Sequence, residues 1–148
     1  MEKINELITS IIEISFDNLP VEEGWGSYEI NAYALRKMIE INAFYLQNDG
    51  KKISFNPKYQ GQVDRENDLT FLFMDLRKNM YESSPNQGAW YSCSIIVHPS
   101  GKFDTKFNYE DKPNLAYEPS KDKFEDDIKA FPREESLIPI WLKEILNS

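Results

Sequence analysis

The hydrophobic residues at the start of the chain recur with a helical period. The apolar positions of this segment are Ile4, Leu7, Ile8, Ile11 and Ile12. The spacing i, i+3, i+4, i+7, i+8 places them on one face of a helix. Pro20 and the glycine-containing segment at 22–26 break this period. The sequence therefore predicts an amphipathic N-terminal helix that these residues end.

Three β-like runs follow this helix, at 27–36, 38–47 and 51–56. The second and third runs are separated by Asn48-Asp49-Gly50, and Asp-Gly favours a tight hairpin turn because it tolerates positive φ. Pro57 closes the third run, since proline cannot continue a central strand. We therefore predict three strands, the last two forming a hairpin.

From residue 64 to about residue 82 the period is helical again. The apolar stripe of this segment consists of Leu69, Leu72, Phe73, Leu76 and Met80. Asp64 precedes the stripe, where a side-chain oxygen satisfies free N–H groups of a first helical turn. We predict a second helix here, with Asp64 as its N-cap.

The clearest alternation of apolar and polar residues lies at 102–110, after a β-like run at 89–98 and a Pro-Ser-Gly turn at 99–101. One side carries Phe103, Thr105, Phe107 and Tyr109, and the other carries Asp104, Lys106, Asn108 and Glu110. One buried face and one solvated face are typical of an antiparallel sheet that lies on helices.

The rest of the chain predicts a loop at 111–119, a polar helix after Ser120 and a short final helix with Trp141 in the core. The element order is then α-βββ-α-ββ-α-α. This order predicts an α+β fold with a single antiparallel sheet of about five strands, packed by helices mainly on one face. No repeat or linker divides the chain, so residues 1–148 are predicted to form one domain.

Charge narrows the possible partners. The chain has 17 Lys and Arg against 25 Asp and Glu, a formal net charge of −8. This balance disfavours nucleic acid, whose recognition needs clustered cations, and suits a basic protein. With one cysteine, no signal-peptide pattern and no apolar run of about 18 residues, we expect a protein of the reducing cytoplasm without a membrane span.

The sequence offers little for catalysis. No phosphate-binding loop or dinucleotide fingerprint is present among the six glycines. Cys93 and His98 stand five residues apart on one predicted strand, so their side chains leave opposite faces. Consecutive carboxylates at 125–127 diverge around a helix and fit a solvated face better than a metal site. We predict no cofactor, no metal and no enzymatic activity, with a carboxylate-dependent hydrolase as the least favoured alternative.

Two tryptophans leave two interpretations open. Trp25 and Trp90 each stand at the start of a strand, directly after a glycine-containing loop. Either one plugs the core at a strand end, or it forms an aromatic anchor on a contact surface, where aromatics are enriched.

Two predicted strands and the turn between them carry a distinctive motif. Its segments read Trp-Tyr-Ser-Cys at 90–93, Ser-Gly-Lys-Phe at 100–103 and Phe-Asn-Tyr-Glu-Asp at 107–111. In these residues, and in outline over most of the chain, the sequence resembles the YezG-type antitoxin, or immunity, family. Phe-Pro-Arg at 131–133 and Ile-Pro-Ile-Trp at 138–141 are similar to the terminal segments of the family. Ser100 and the spacing of the 20–25 segment depart from the pattern, which leaves open a divergent member or a related contact-dependent-inhibition immunity protein.

The resemblance implies a cytoplasmic antitoxin that binds and neutralises a cognate secreted bacterial toxin, often a nuclease. A nuclease site is basic, so we expect an acidic contact region with aromatic anchors. The predicted contact residues are Glu110, Asp111, Glu118, Asp122, Glu125, Asp126 and Asp127, with Trp25 or Tyr117 as anchor. A general acidic adaptor domain with a partner other than a toxin is the alternative. The oligomeric state stays open.

Overall fold

A computed structural model describes all of residues 1–148 and confirms the predicted element order. The helices are α1 (Glu2–Asp17), α2 (Leu69–Ser83), α3 (Lys121–Ala130) and α4 (Ile140–Leu146). The strands are β1 (Trp25–Leu35), β2 (Met38–Gln47), β3 (Lys52–Phe55), β4 (Ser92–Val97) and β5 (Phe103–Asn108). Short 3₁₀ turns stand at Arg65–Asn67, Pro85–Gln87 and Glu135–Leu137.

The five strands form one open antiparallel sheet in the order β3-β2-β1-β4-β5. β1 is the central strand, and Tyr28 lies opposite Tyr45 of β2 and Val97 of β4. The β1–β2 hairpin turns at Arg36 and Lys37, where Lys37 has a φ of 63°. Positive φ is unusual for a side-chain-bearing residue and is typical of a tight two-residue hairpin turn.

Helices α1 and α2 cover one face of the sheet. Ile11 of α1 and Phe73 of α2 are fully buried against Tyr28 and Ile30 of the central strand. The Tyr28 hydroxyl lies 2.9 Å from the buried Ser15 hydroxyl and donates to the Ile12 carbonyl oxygen at 3.2 Å. This main core therefore contains a satisfied polar link between β1 and α1.

Helices α3 and α4 belong to a second, smaller core at one end of the sheet. Leu35 at the end of β1 and Tyr91 before β4 pack there with Phe124 of α3 and Leu142 of α4. Trp141 packs at the margin of this cluster and is only half-buried, so its prediction as a core residue is corrected. The second core fixes α3 relative to the β1–β2 turn.

Helix α2 begins later than the sequence predicted. Asp64 precedes a 3₁₀ turn and makes no side-chain capping bond. Asp68 is the N-cap instead, and its carboxylate accepts a hydrogen bond from the Thr70 N–H at 2.9 Å. The predicted cap is therefore wrong by one helical turn. The sequence offers two aspartates four residues apart, and only the second caps the helix.

The last two strands are shorter than predicted. Trp90 lies before β4 and is completely buried in the main core, which selects the core-plug interpretation for this residue. β5 is an edge strand, and Phe103 on its predicted buried side is 46% exposed. Glu110 lies beyond β5, in the bend that follows it. None of the helices combines the length and the hydropathy that crossing a membrane requires.

Candidate functional site

The first part of the predicted contact region is the loop that connects β5 to α3. Three of its hydrogen bonds attach it to other parts of the fold or fix its first turn. The Trp141 indole N–H donates to the Glu110 carbonyl oxygen at 2.6 Å, and the Asn108 amide donates to the Asp111 carboxylate at 2.8 Å. The Ala116 N–H donates to the Glu40 carboxylate of β2 at 2.9 Å. The loop is therefore attached near its start and, through Ala116, to the sheet.

Tyr117 is the most exposed aromatic side chain of the protein. It follows the attached Ala116 and is 85% exposed. Its neighbour Glu118 is paired with Lys112 at 2.6 Å. A large apolar ring held in solvent by a fixed backbone costs little entropy to immobilise, which is the property expected of an interface anchor.

The first turns of α3 carry the next group of predicted carboxylates. Asp122 accepts a short hydrogen bond from the Ser120 hydroxyl, and this bond lowers the pKa of the Asp122 carboxyl. Glu125 is exposed. Asp126 pairs with Arg36 of the β1–β2 turn at 2.7 Å. Each of these carboxylates reaches solvent, although Asp126 already has a cationic partner.

Asp127 differs from its neighbours, and its place in the contact region is corrected. Its carboxylate is 3% exposed and pairs with the 2% exposed Arg77 of α2, with the nearest atoms 2.5 Å apart. The same oxygen accepts the Arg36 N–H at 2.6 Å. The Arg77 Nε–H donates to the Trp90 carbonyl oxygen at 2.6 Å. A charge so enclosed joins elements of the fold and is not presented to a partner.

Trp25 is likewise corrected as a contact residue. Its side chain is 8% exposed and belongs to the main core. Its ring lies 5.7 Å from the Tyr28 ring and 6.3 Å from the Phe16 ring, centroid to centroid. The more exposed partner in this stack is Phe16, at the end of α1. Trp25 therefore closes the core where β1 begins.

The cysteine and the histidine lie apart, as their predicted strand positions required. Burial raises the pKa of the Cys93 thiol far above its usual range. The His98 ring nitrogen lies 3.0 Å from the Asp104 carboxylate at the solvated end of the β4–β5 hairpin. A thiol kept protonated in the core is a poor nucleophile, because the thiolate is the reactive form.

A family-level comparison gives the decisive observation. Residues 4–133 match the family described as immunity protein YezG-like. The chain belongs to the YezG-like immunity protein family. No curated protein matches the chain. The match confirms the resemblance stated from the sequence, and it identifies the function as one of the immunity type, with a toxin as the implied partner.

The matched part of this YezG-like immunity protein includes all of the residues predicted as toxin contacts, with Asp127 and Trp25 among them. It begins within α1 and ends at Arg133, a residue that joins the segment after α3 to the segment before β4. The Arg133 guanidinium donates to the Ala89 carbonyl oxygen at 2.9 Å and packs against Gly88. The helix α4 lies beyond the matched residues.

The sequence reasoning missed a second acidic surface on α1. Glu2, Glu6 and Glu13 lie on its exposed side, and none of them belongs to an ion pair. In the predicted region, by contrast, Asp126, Asp127 and Glu118 are each paired with a cation. The period of the apolar residues predicts that these glutamates lie on the outer face of α1. It does not mark them as functional, because many solvated helices carry carboxylates there.

The second face of the sheet is also a polar surface that the sequence reasoning did not single out. Asn31 of β1 donates through its amide to Asn42 of β2 at 3.1 Å and accepts from the Ser94 hydroxyl of β4 at 2.6 Å. The Lys52 ammonium of β3 lies 3.8 Å from the centre of the Phe44 ring. Ser94, Asn31 and Asn42 lie side by side across β4, β1 and β2, an arrangement that period-2 alternation alone does not predict.

Proposed function

We propose that this protein binds and neutralises a cognate secreted bacterial toxin in the cytoplasm, and that it does so by occupying the toxin without any catalysis of its own. Membership of the YezG-like immunity family over residues 4–133 carries this proposal. The net charge of −8 supports a basic toxin domain, and a nuclease is the class that combines toxicity with a phosphate-binding, basic active site.

The proposed contact surface is the loop after β5 together with the exposed side of α3. Its acidic members are Glu110, Asp111, Glu118, Asp122, Glu125 and Asp126, and its aromatic anchor is Tyr117. The attachment of the loop to Glu40 and to Trp141 supports this choice, because a fixed loop binds with a smaller entropic cost. Asp127 supports this surface from inside the fold, through its ion pair with Arg77.

The test is survival of cells that express the reading frame adjacent to this gene, with and without the protein. We expect survival only with the protein. Tyr117→Ala combined with Asp122→Lys and Glu125→Lys should weaken toxin binding by at least about a hundredfold, the size expected for loss of an anchor and two complementary charges. Asp127 stays unchanged in this variant, because its loss would destabilise the fold and obscure the effect on binding.

The matched control carries the same number of charge reversals on α1, as Glu2→Lys and Glu6→Lys. We expect this control to keep full affinity and full protection. Equal loss in both variants would assign the effect to net charge alone and contradict the proposed surface. Loss in the α1 variant only would move the toxin contact to α1. Survival that never depends on the protein would contradict the immunity function itself.

A further inference from the structure

A cavity with an unusually basic lining lies between α2 and the β1–β2 turn. It has a volume of about 220 Å³. The ionisable residues around it are five cations and one carboxylate: Arg36, Lys37, Arg65, Arg77, Lys78 and Asp75. The rest of the lining includes the apolar side chains of Leu35, Ile39, Met74 and Phe131. Five of the 17 Lys and Arg residues therefore lie around one cavity, in a chain whose net charge is −8.

Three of the five cations are already paired. Arg36 pairs with Asp126, Arg65 with Asp75 and Arg77 with Asp127. Lys37 and Lys78 belong to none of the ion pairs, and both are exposed. Two ammonium groups at the cavity therefore have no anionic partner within the protein.

The buried Arg77 side chain is part of the cavity lining. A guanidinium group has five N–H donors. Three bonds of Arg77 are used, one to the Trp90 carbonyl oxygen and two to the Asp127 carboxylate. Two N–H donors of a 2% exposed side chain remain for another acceptor. Asp127 also fixes the direction of this guanidinium group, so its spare donors are held in place without further loss of entropy.

We propose that this cavity binds a small organic anion, with its phosphate or carboxylate group at Lys37, Lys78 and the spare donors of Arg77, and its apolar body against Leu35 and Met74. Planar guanidinium groups and ammonium groups together are typical of anion recognition. The volume lies below the roughly 300–1,000 Å³ of sites for drug-sized ligands, which restricts the ligand to a single ring or a short chain. This site adjoins the proposed toxin contact through the Arg36–Asp126 ion pair, but its ligand is a small anion and goes beyond the immunity function.

Phenyl phosphate is a suitable probe, because it combines one aromatic ring with one phosphate. In titrations followed by methyl and amide NMR, we expect saturable shifts at Leu35 and Met74 with a dissociation constant of about 1 mM or below. Inorganic phosphate and benzyl alcohol, which carry only the charge or only the ring, should bind at least about tenfold more weakly.

The variant Lys37→Gln with Lys78→Gln should weaken phenyl phosphate binding by at least about tenfold, because both unpaired ammonium groups are removed. The matched control, Lys102→Gln with Lys106→Gln, changes the same charge on the β4–β5 turn and on β5, and should bind like the unchanged protein. No saturable shift, equal binding of inorganic phosphate, or equal weakening in both variants would overturn the site. None of these results depends on the toxin. A negative titration would therefore overturn the anion site without affecting the proposed immunity function, and a negative survival assay would do the reverse.

Discussion

At the scale of single residues, Asp127 determines how the parts of the molecule are joined. One of its carboxylate oxygens accepts both from the Arg77 guanidinium and from the Arg36 backbone N–H. These contacts connect α3, α2 and the β1–β2 turn, which are far apart in the chain. Loss of the carboxylate would leave a buried, uncompensated arginine.

We therefore predict that Asp127→Asn lowers the free energy of unfolding by about 3–5 kcal/mol, the usual effect of breaking a buried ion pair from one side. Asp126→Asn is the matched control, since Asp126 also pairs with an arginine but both side chains are about two-fifths exposed. Its expected cost is below about 1 kcal/mol. Urea unfolding followed by tryptophan fluorescence measures both. Similar losses of unfolding free energy in the two variants would contradict the role of Asp127 as a buried structural charge.

The role of Asp127 was not predictable from its sequence position. Glu125, Asp126 and Asp127 are consecutive carboxylates on a polar helix, and only the location of Arg77 separates the third from the others. That location depends on how α2 and α3 pack, which no local pattern records. Trp25 presents the same problem, because a strand-end tryptophan is core or contact depending on what covers it.

At the scale of elements, the start of α2 shows why a helix cap is hard to predict from sequence, since Asp64 and Asp68 are equally suitable N-cap residues. Asp68 caps the helix through the Thr70 N–H, whereas Asp64 precedes only a 3₁₀ turn. The order and type of the elements followed from periodicity and turn residues. Their ends did not, because a strand ends where its neighbour stops pairing and a helix begins where a cap is actually bonded.

We predict that Asp68→Ala destabilises the protein by about 1 kcal/mol, the typical cost of losing an N-cap bond. Asp64→Ala is the matched control and should change the free energy of unfolding by less than about 0.5 kcal/mol, as for an exposed residue without such a role. Thermal and urea unfolding of the two variants give the comparison. A larger loss of stability for Asp64→Ala than for Asp68→Ala would show that Asp64 is the N-cap, as the sequence predicted.

At the scale of the whole molecule, buried acids make the fold sensitive to alkali. Burial raises the pKa of Tyr91 from 10.0 to about 12 and also raises the pKa values of Tyr28 and Cys93. As the pH rises, the unfolded chain loses these protons before the folded chain does. The folded state then binds more protons than the unfolded state, so the free energy of unfolding falls with increasing pH.

The prediction is a steady loss of stability above about pH 9, with Tyr91 contributing roughly 2 kcal/mol between about pH 10 and pH 12. Below that window its contribution is constant. Urea midpoints measured in reducing buffer from about pH 8 to pH 11 test this. Tyr91→Phe should flatten the slope, because phenylalanine has no proton to lose. An unchanged slope in that variant would assign the alkaline sensitivity to other groups.

The bond between the Arg36 N–H and Asp127 gives this molecule an internal reporter. Amides in exposed hairpin turns usually exchange with solvent as fast as the turn opens. This amide is bonded to a buried carboxylate 91 residues further along the chain. Its exchange with deuterium therefore requires the bond between the turn and α3 to open, and the rate at this one position measures how often α3 separates from the β1–β2 turn.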